Sequence, residues 1–102
     1  MPKRKKRLKW SESALAELDA GIAYYTERNP IAARRMLDEI NHAALSLIAA
    51  TLPAKGKAGR VPGTRELVLS ARTPYILVFR EAVTDSPAIQ ILRTLHTARK
   101  YP

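Results

Sequence analysis

The stretch TRELVLSARTPYILVFREAVTDSPAIQILRTLHTARKYP, residues 64–102, decides the fold. Its apolar residues are mostly β-branched or aromatic and form three short runs, a composition typical of β-strands. The segments Arg72-Thr73-Pro74 and Thr84-Asp85-Ser86-Pro87 separate the runs at lengths suited to hairpin turns. Within residues 75–79, YILVF, both alternating positions are apolar, as a strand covered on both faces requires. The pattern predicts a three-stranded antiparallel meander whose central strand spans residues 75–82.

Residues 8–28 carry the signals of a short edge strand followed by a helix. Leu8 and Trp10 alternate with Lys9, which predicts the strand. Ser11 or Ser13 can cap the helix, and an apolar stripe predicts that it covers about residues 12–28. The stripe consists of Leu15, Leu18, Ile22 and Tyr25. Gly21 lies inside this helix at a cost of about 1 kcal/mol relative to alanine, which indicates a close packing contact.

Asn29-Pro30 marks the boundary between two helices. Proline cannot continue the first helix, but it suits the first position of a second one that Asn29 caps and Pro53 ends. The apolar face of the second helix consists of Ala33, Met36, Leu37, Ile40, Ala44, Leu47 and Ile48. His42 lies off this face and is expected to face solvent. Residues 53–63, PAKGKAGRVPG, indicate an exposed loop and contain neither GxxxxGK[ST] nor GxGxxG.

These elements predict an α+β domain in the order β-α-α-β-β-β. We expect an N-terminal helical hairpin packed on one face of a twisted antiparallel β-sheet, in a single domain of residues 1–102 with a flexible basic N-terminus at residues 1–7. The chain has no cysteine, so disulfides and thiolate metal sites are excluded. Its longest apolar-rich stretch, residues 43–52, is too short to span a bilayer. We expect a cytoplasmic protein without membrane contact.

The net charge of +9 is divided unevenly along the chain. Residues 1–10 carry six bases and no acid, residues 11–54 carry three bases against six acids, and residues 55–102 carry nine bases against three acids. This division predicts a positive potential over the sheet half and an acidic partner, either a nucleic acid or an acidic peptide. The alternative is that the charge serves solubility.

The chain contains, in this order, GRVPGTREL at residues 59–67, PYILVFR at residues 74–80 and IQILRTLHTARKYP at residues 89–102. Together these three segments resemble the RelE/ParE superfamily of bacterial type II toxins. The N-terminal half of the chain, with SALAELDAGIAYY and NPIAARRMLDEI, also resembles this superfamily. The resemblance implies a helical hairpin on an antiparallel sheet and a hetero-oligomer with a cognate antitoxin whose acidic, partly disordered tail neutralises the toxin. RelE-like members are ribosome-dependent mRNA endoribonucleases, whereas ParE-like members inhibit DNA gyrase and lack an established catalytic site.

A ribonuclease needs a base, a cation and an acid that converge on one face. The candidates in this chain are His96, Arg65, Arg80 and Tyr101. Counting by twos along the last strand places Ile89, Ile91, Arg93 and Leu95 on one side and Gln90, Leu92, Thr94 and His96 on the other, unless a bulge intervenes. Other readings stay open: His96 bonds the backbone, Arg65 pairs with a carboxylate such as Glu81, and residues 99–101 form a frayed terminus. Trp10 and Phe79 are expected in the core.

One departure from the RelE-like pattern favours the ParE-like reading. RelE-like ribonucleases place an arginine directly after the first aromatic residue of the central strand, and here that position is Ile76. We therefore expect a gyrase inhibitor that acts by binding, with ribosome-dependent mRNA cleavage second and a non-toxic basic nucleic-acid-binding domain third. No metal or organic cofactor is expected. The residues expected to bind the target or the antitoxin are Arg60, Arg65, Arg72, Arg93, Arg99 and Lys100.

Overall fold

The computed structural model describes residues 6–49, 56–82 and 87–98. Its elements are β1 (Arg7–Trp10), α1 (Glu12–Arg28), α2 (Pro30–Ala49), β2 (Lys57–Ala58), β3 (Arg65–Val68), β4 (Tyr75–Ala82) and β5 (Ala88–His96). The five strands form one sheet in the order β1-β5-β4-β3-β2. The predicted α+β class and the helical hairpin that precedes the meander are confirmed. In the part of the chain described here, no helix is long and apolar enough to cross a membrane.

The sheet is mixed rather than wholly antiparallel. β3, β4 and β5 form the predicted antiparallel meander, with Tyr75 opposite His96 and Val68 opposite Ile76. β1, however, pairs parallel to β5, with Leu8 opposite Ile89. The two-residue β2 adds a fifth strand within the segment predicted as a loop. Alternation of apolar residues predicts a strand but carries no information on its partner or direction, because either direction exposes the same face.

Two residues of the predicted flexible N-terminus are part of the fold. Arg7 opens β1, and its backbone N–H donates to the Pro87 carbonyl over 2.9 Å. The Lys6 ammonium lies 2.7 Å from a carboxylate oxygen of Glu81 on β4. Arg7 therefore belongs to β1 and Lys6 contacts β4, and residues 1–5 lie outside the described residues.

The two helices begin and meet as predicted. The Ser11 hydroxyl accepts from the Ala14 N–H over 3.0 Å at the start of α1. The Asn29 side chain accepts from the Ala32 N–H over 3.1 Å at the start of α2. The predicted stripe of α1 was wrong at Leu15, which is exposed, because the face that meets the sheet runs through Ala14. An alanine there lets the helix lie close to the strands.

The core lies between the helices and the sheet. Ala14 and Leu18 of α1 and the inward face of α2 pack against β4 and β5. The fully buried members include Phe79, Ile40, Leu77, Ile89 and Ile91. Phe79 is in the core and Trp10 packs against it, as expected. His42 is exposed, as predicted.

The first turns of α1 close the edge of β5 beyond the end of β1. The Ser11 N–H donates to the Ile91 carbonyl and the Ser11 hydroxyl donates to the Leu92 carbonyl, each over 2.9 Å. One turn later, a Glu17 carboxylate oxygen accepts from the Thr94 N–H over 3.0 Å. An edge strand needs partners for its outward backbone groups. Here these partners are the backbone N–H and hydroxyl of the N-cap residue Ser11 and the carboxylate of Glu17 on α1.

A polar clamp holds α2 against the turn between β3 and β4. The Arg35 guanidinium donates to a Glu39 carboxylate oxygen over 3.0 Å and to the Arg72 carbonyl over 3.2 Å. The hydroxyl of the fully buried Thr73 donates to the other Glu39 oxygen. The Thr73 hydrogen bond, followed by the Arg35 hydrogen bond, holds the pKa of Glu39 below its ordinary value of 4.5. The clamp therefore favours an ionised Glu39.

Gly21 makes the close packing contact that its position inside a helix indicates, and its partner is Tyr75. A Cβ atom built on Gly21 would lie 2.2 Å from the hydroxyl oxygen of Tyr75, whose side chain is buried in the core. We expect Gly21→Ala to lower the free energy of unfolding. Overpacking costs about 1–3 kcal/mol, against a gain of about 1 kcal/mol in helix propensity. Urea unfolding of the variant measures the difference.

The Tyr75→Phe background provides the control. It removes the oxygen that a Gly21 Cβ would meet first, so Gly21→Ala should cost less there than in the wild type. Equal effects in both backgrounds would contradict the contact.

The clamp predicts a pH dependence of stability. A folded pKa below the unfolded one means that Glu39 stabilises the fold above about pH 4.5, and that this stabilisation is lost as the pH falls through the folded pKa. We expect Glu39→Gln to be less stable than wild type at neutral pH and the difference to shrink on acidification. Urea unfolding midpoints between about pH 3 and pH 7 measure it. Asp38→Asn, which removes an exposed carboxylate from the same helix, should show no such convergence.

Candidate functional site

A bulge in β5 decides which of its side chains face the helices. Val78 lies opposite Arg93, but the next residue of β4, Phe79, lies opposite Ile91, so Leu92 is the extra residue. Beyond the bulge, Thr94 and His96 face the helices together with Ile89 and Ile91. Arg93 and Leu95 face the other side. The simple alternation predicted from the sequence was therefore wrong across Leu92, although Arg93 and His96 do lie on opposite faces as it implied.

His96 has a partner at each ring nitrogen. Its Nδ1 accepts from the Ala98 N–H over 3.1 Å, and its Nε2 lies 2.9 Å from the Tyr25 hydroxyl. An acceptor role for Nδ1 places the hydrogen of the neutral ring on Nε2, so that Nε2 donates to Tyr25. The expected backbone hydrogen bond is confirmed. In this arrangement, neither nitrogen offers a lone pair to a substrate.

Tyr75 and Tyr25 hold the His96 ring from two sides. The Tyr75 ring meets His96 edge-on, with centroids 5.4 Å apart, and the Tyr25 ring is nearly parallel to His96 at 6.3 Å. Burial, and secondarily the neighbouring Tyr25, raises the pKa of Tyr75 above its ordinary value of 10.0. Tyr75 is therefore an uncharged phenol at neutral pH. The cluster forms one wall of a cavity of about 390 Å³ that Gly21 and Tyr24 also line.

Arg60 and Arg65 lie around β2 and β3. An Arg65 guanidinium nitrogen donates to the Gly56 carbonyl over 2.7 Å, while Glu81, the carboxylate considered as its partner, forms an ion pair with Lys6. The Arg60 backbone N–H donates to the carboxylate of Glu66 over 3.0 Å, and the Arg60 side chain lies 4.0 Å from it. Glu66 is almost completely buried. Both arginines therefore help to hold the short β2–β3 pair.

Arg80, Arg93 and Arg72 occupy three different surroundings. Arg80 is exposed on the face of β4 away from the helices, and its Nε donates to Gln90 over 2.7 Å. Arg93 makes a bidentate contact with Glu17, with its shortest N–O distance 2.7 Å. Arg72 is exposed beside the clamp on the β3–β4 turn. Arg99, Lys100 and Tyr101 lie outside the described residues.

The three candidate ribonuclease residues that the structure describes, His96, Arg65 and Arg80, are not brought together. His96 lies opposite Tyr75 at one end of β4, whereas Arg65 lies opposite Phe79, about 13 Å further along at ~3.3 Å per residue. Arg80 is one residue beyond Phe79 and faces the other side of the sheet. Among residues 6–49, 56–82 and 87–98, no three histidine, cysteine, aspartate or glutamate side chains lie close enough to hold a metal ion.

The sequence analysis missed the partners of two candidate residues. The sequence places Tyr25 in the apolar stripe of α1 and gives no partner for Glu17. Gly21, one turn before Tyr25, was the available signal, since a glycine inside a helix indicates that another group approaches it closely. No local pattern links Glu17 with Arg93, because they are 76 residues apart.

Comparisons with known proteins agree with this architecture. The family model described as the ParE toxin of the type II toxin–antitoxin system, parDE, matches residues 8–101. The chain is 39% identical over 98 residues to Y4kP of Sinorhizobium fredii (strain NBRC 101917 / NGR234), which is described as a candidate toxin; the match covers 96% of this chain and 95% of Y4kP. A solved structure of the chromosomal ParDE TA system from P. aeruginosa matches with a TM-score of 0.77 and 32% identity, over 92% of this chain and 98% of that chain.

The family model and the relative each cover more than nine-tenths of the chain, and the solved structure has the same fold. The chain therefore belongs to the ParE toxin family of type II toxin–antitoxin systems.

Proposed function

We propose that this toxin inhibits DNA gyrase in the cytoplasm by binding it, and that a cognate antitoxin holds the toxin inactive in a hetero-oligomer. The observation that carries the proposal is the separation of His96, Arg65 and Arg80 along and across the sheet. Transition-state stabilisation needs donors fixed around one reacting group. A binding mechanism has no such requirement.

Two further features support binding over RNA cleavage. Ile76 stands where RelE-like ribonucleases carry an arginine, and it is half-buried between β3 and β5, opposite Val68 and Leu95. Both nitrogens of the neutral His96 ring make hydrogen bonds, Nδ1 to Ala98 and Nε2 to Tyr25. A packed isoleucine thus occupies the position of the RelE-like arginine, and the His96 imidazole stabilises the fold.

The charge distribution supports an acidic antitoxin segment as the neutralising partner. Lys57, Arg60, Arg72 and Arg80 are exposed on the sheet half of the molecule. Arg80 hydrogen-bonds only a neutral amide, and within the described residues no carboxylate lies within ion-pair distance of it. A carboxylate from a partner would add a charge-assisted hydrogen bond there.

Supercoiling and translation assays test the target. The purified toxin should inhibit supercoiling by gyrase, and pre-incubation with the protein encoded beside it should restore supercoiling. Translating ribosomes given the same toxin should retain intact mRNA. Cut mRNA together with unaffected gyrase would instead support the RelE-like activity and overturn the proposal.

A matched pair of arginine variants tests whether binding uses the exposed charge. Arg80→Gln should weaken antitoxin or gyrase binding several-fold without changing the midpoint of unfolding, because Arg80 is exposed. Arg93→Gln should lower the free energy of unfolding by about 1–3 kcal/mol, the value of hydrogen bonds to a charged group, because it leaves Glu17 with fewer partners. Calorimetric titration and urea unfolding of both variants measure the two effects. Full binding by Arg80→Gln would remove Arg80 from the interface.

A further inference from the structure

A cleft runs between α1 and the neighbouring ends of β4 and β5. It consists of two adjoining cavities of about 390 Å³ each, which share Gly21, Tyr75 and His96. Tyr24 and Tyr25 line one part, and Glu17 and Thr94 line the other. The volume is within the range of about 300–1,000 Å³ of small-molecule sites. The absence of a side chain at Gly21 leaves this space open beside the Tyr75 hydroxyl.

Thr94 lines this cleft and carries a buried hydroxyl. The side chain is 1% exposed, and its hydroxyl oxygen has no hydrogen-bond partner among the described residues. Burying a hydroxyl without a partner costs about 1–3 kcal/mol, so such groups are rare in folded proteins. A ligand in the cleft would give this hydroxyl a partner.

Two tyrosine hydroxyls add hydrogen-bond donors to the same space. Because His96 Nε2 donates to the Tyr25 hydroxyl oxygen, the Tyr25 hydrogen remains available to a ligand. Burial raises the pKa of Tyr75, so its hydroxyl keeps its proton at neutral pH. Three hydroxyl-bearing side chains therefore line a cleft whose other walls are aromatic or small, apart from the Glu17 carboxylate.

The rings at the solvent side of the cleft are suited to stacking. Tyr24 is 53% exposed, and the Arg28 guanidinium carbon lies 3.6 Å from the centre of its ring. Tyr25 packs edge-on against Tyr24, with centroids 5.4 Å apart. Aromatic rings beside an arginine are typical of sites that hold an unpaired nucleobase, with the cation near its phosphate.

We propose that this cleft binds the unpaired base of a nucleotide, with the base against Tyr24 and Tyr25, its acceptor atoms towards the hydroxyls of Tyr25, Tyr75 and Thr94, and its phosphate near Arg28. Aromatic faces accept any base, whereas the hydroxyls select ligands that carry ring nitrogens or carbonyl oxygens. The proposal does not depend on gyrase as the target of the toxin. A free nucleotide and a single-stranded nucleic acid would present the same chemistry.

Titration of the full chain with AMP and with ribose 5-phosphate, followed by amide chemical shifts, tests the site. AMP should shift the Gly21 and Thr94 amides saturably, and ribose 5-phosphate should not. A single-stranded hexanucleotide that binds more tightly with the same footprint would identify a strand as the source, and equal or weaker binding would identify the free nucleotide. Equal shifts with AMP and ribose 5-phosphate, or none at these amides, would overturn the proposal.

Variants separate the site from general attraction to a basic protein. Tyr24→Leu should weaken AMP binding about tenfold, the size expected for one base–aromatic stack. Arg28→Gln should weaken it more than Arg34→Gln, which removes one exposed charge from α2. Thr94→Val should weaken binding while leaving the unfolding midpoint unchanged or raised, because it removes an unpaired hydroxyl. Thr94→Ser should retain binding. Unchanged AMP affinity in both Tyr24→Leu and Thr94→Val would refute the assignment.

Discussion

The bulge at Leu92 is the local constraint on which the functional half of the molecule depends. One extra residue turns each later side chain of β5 to the opposite face of the sheet, because side chains alternate along a strand. It turns Thr94 and His96 towards α1 and leaves Arg93 near the edge, where Glu17 holds it. The same region supplies the carbonyls of Ile91 and Leu92 that anchor Ser11. The start of α1, the closure of the sheet edge and the aromatic cluster all follow from this irregularity.

Because the apolar core is small, polar contacts help to hold the helices against the sheet and its turns. A chain of 102 residues buries one thin layer between its helices and its sheet. Most of α2 is fixed by apolar packing, but the turn between β3 and β4 is held by the clamp of Arg35, Glu39 and Thr73. On the other side, Glu17 serves a backbone N–H and a guanidinium at once. The Glu39 carboxylate thus joins a helix to a turn, and the Glu17 carboxylate joins a helix to a strand.

Acidic residues and exposed arginines are concentrated in different parts of this fold. The helices carry most of the acids, whereas Arg60, Arg72 and Arg80 are exposed on the strands and turns of the sheet half. Several of the arginines expected to bind a partner also hold the fold: Arg93 pairs with Glu17, and Arg60 and Arg65 secure the β2–β3 pair. Arg80 is different, because its charge faces solvent beside a neutral amide. A cation therefore cannot be assigned to partner binding from its sequence position alone.

The sequence by itself determined the elements that depend on local chemistry. A helix cap at Ser11 or Ser13, the cap at Asn29, the apolar face of α2 and the doubly covered strand β4 follow from neighbours a few residues apart, so local patterns suffice to find them. Only the tertiary structure decided the parallel pairing of β1 with β5, the facing of β5 beyond Leu92 and the contacts of Tyr25 with His96 and Glu17 with Arg93. Those features join residues more than 70 positions apart or arise from one unpaired residue in a ladder. Neither the long-range contacts nor the bulge leaves a periodic pattern in the sequence, because packing across the whole domain fixes them.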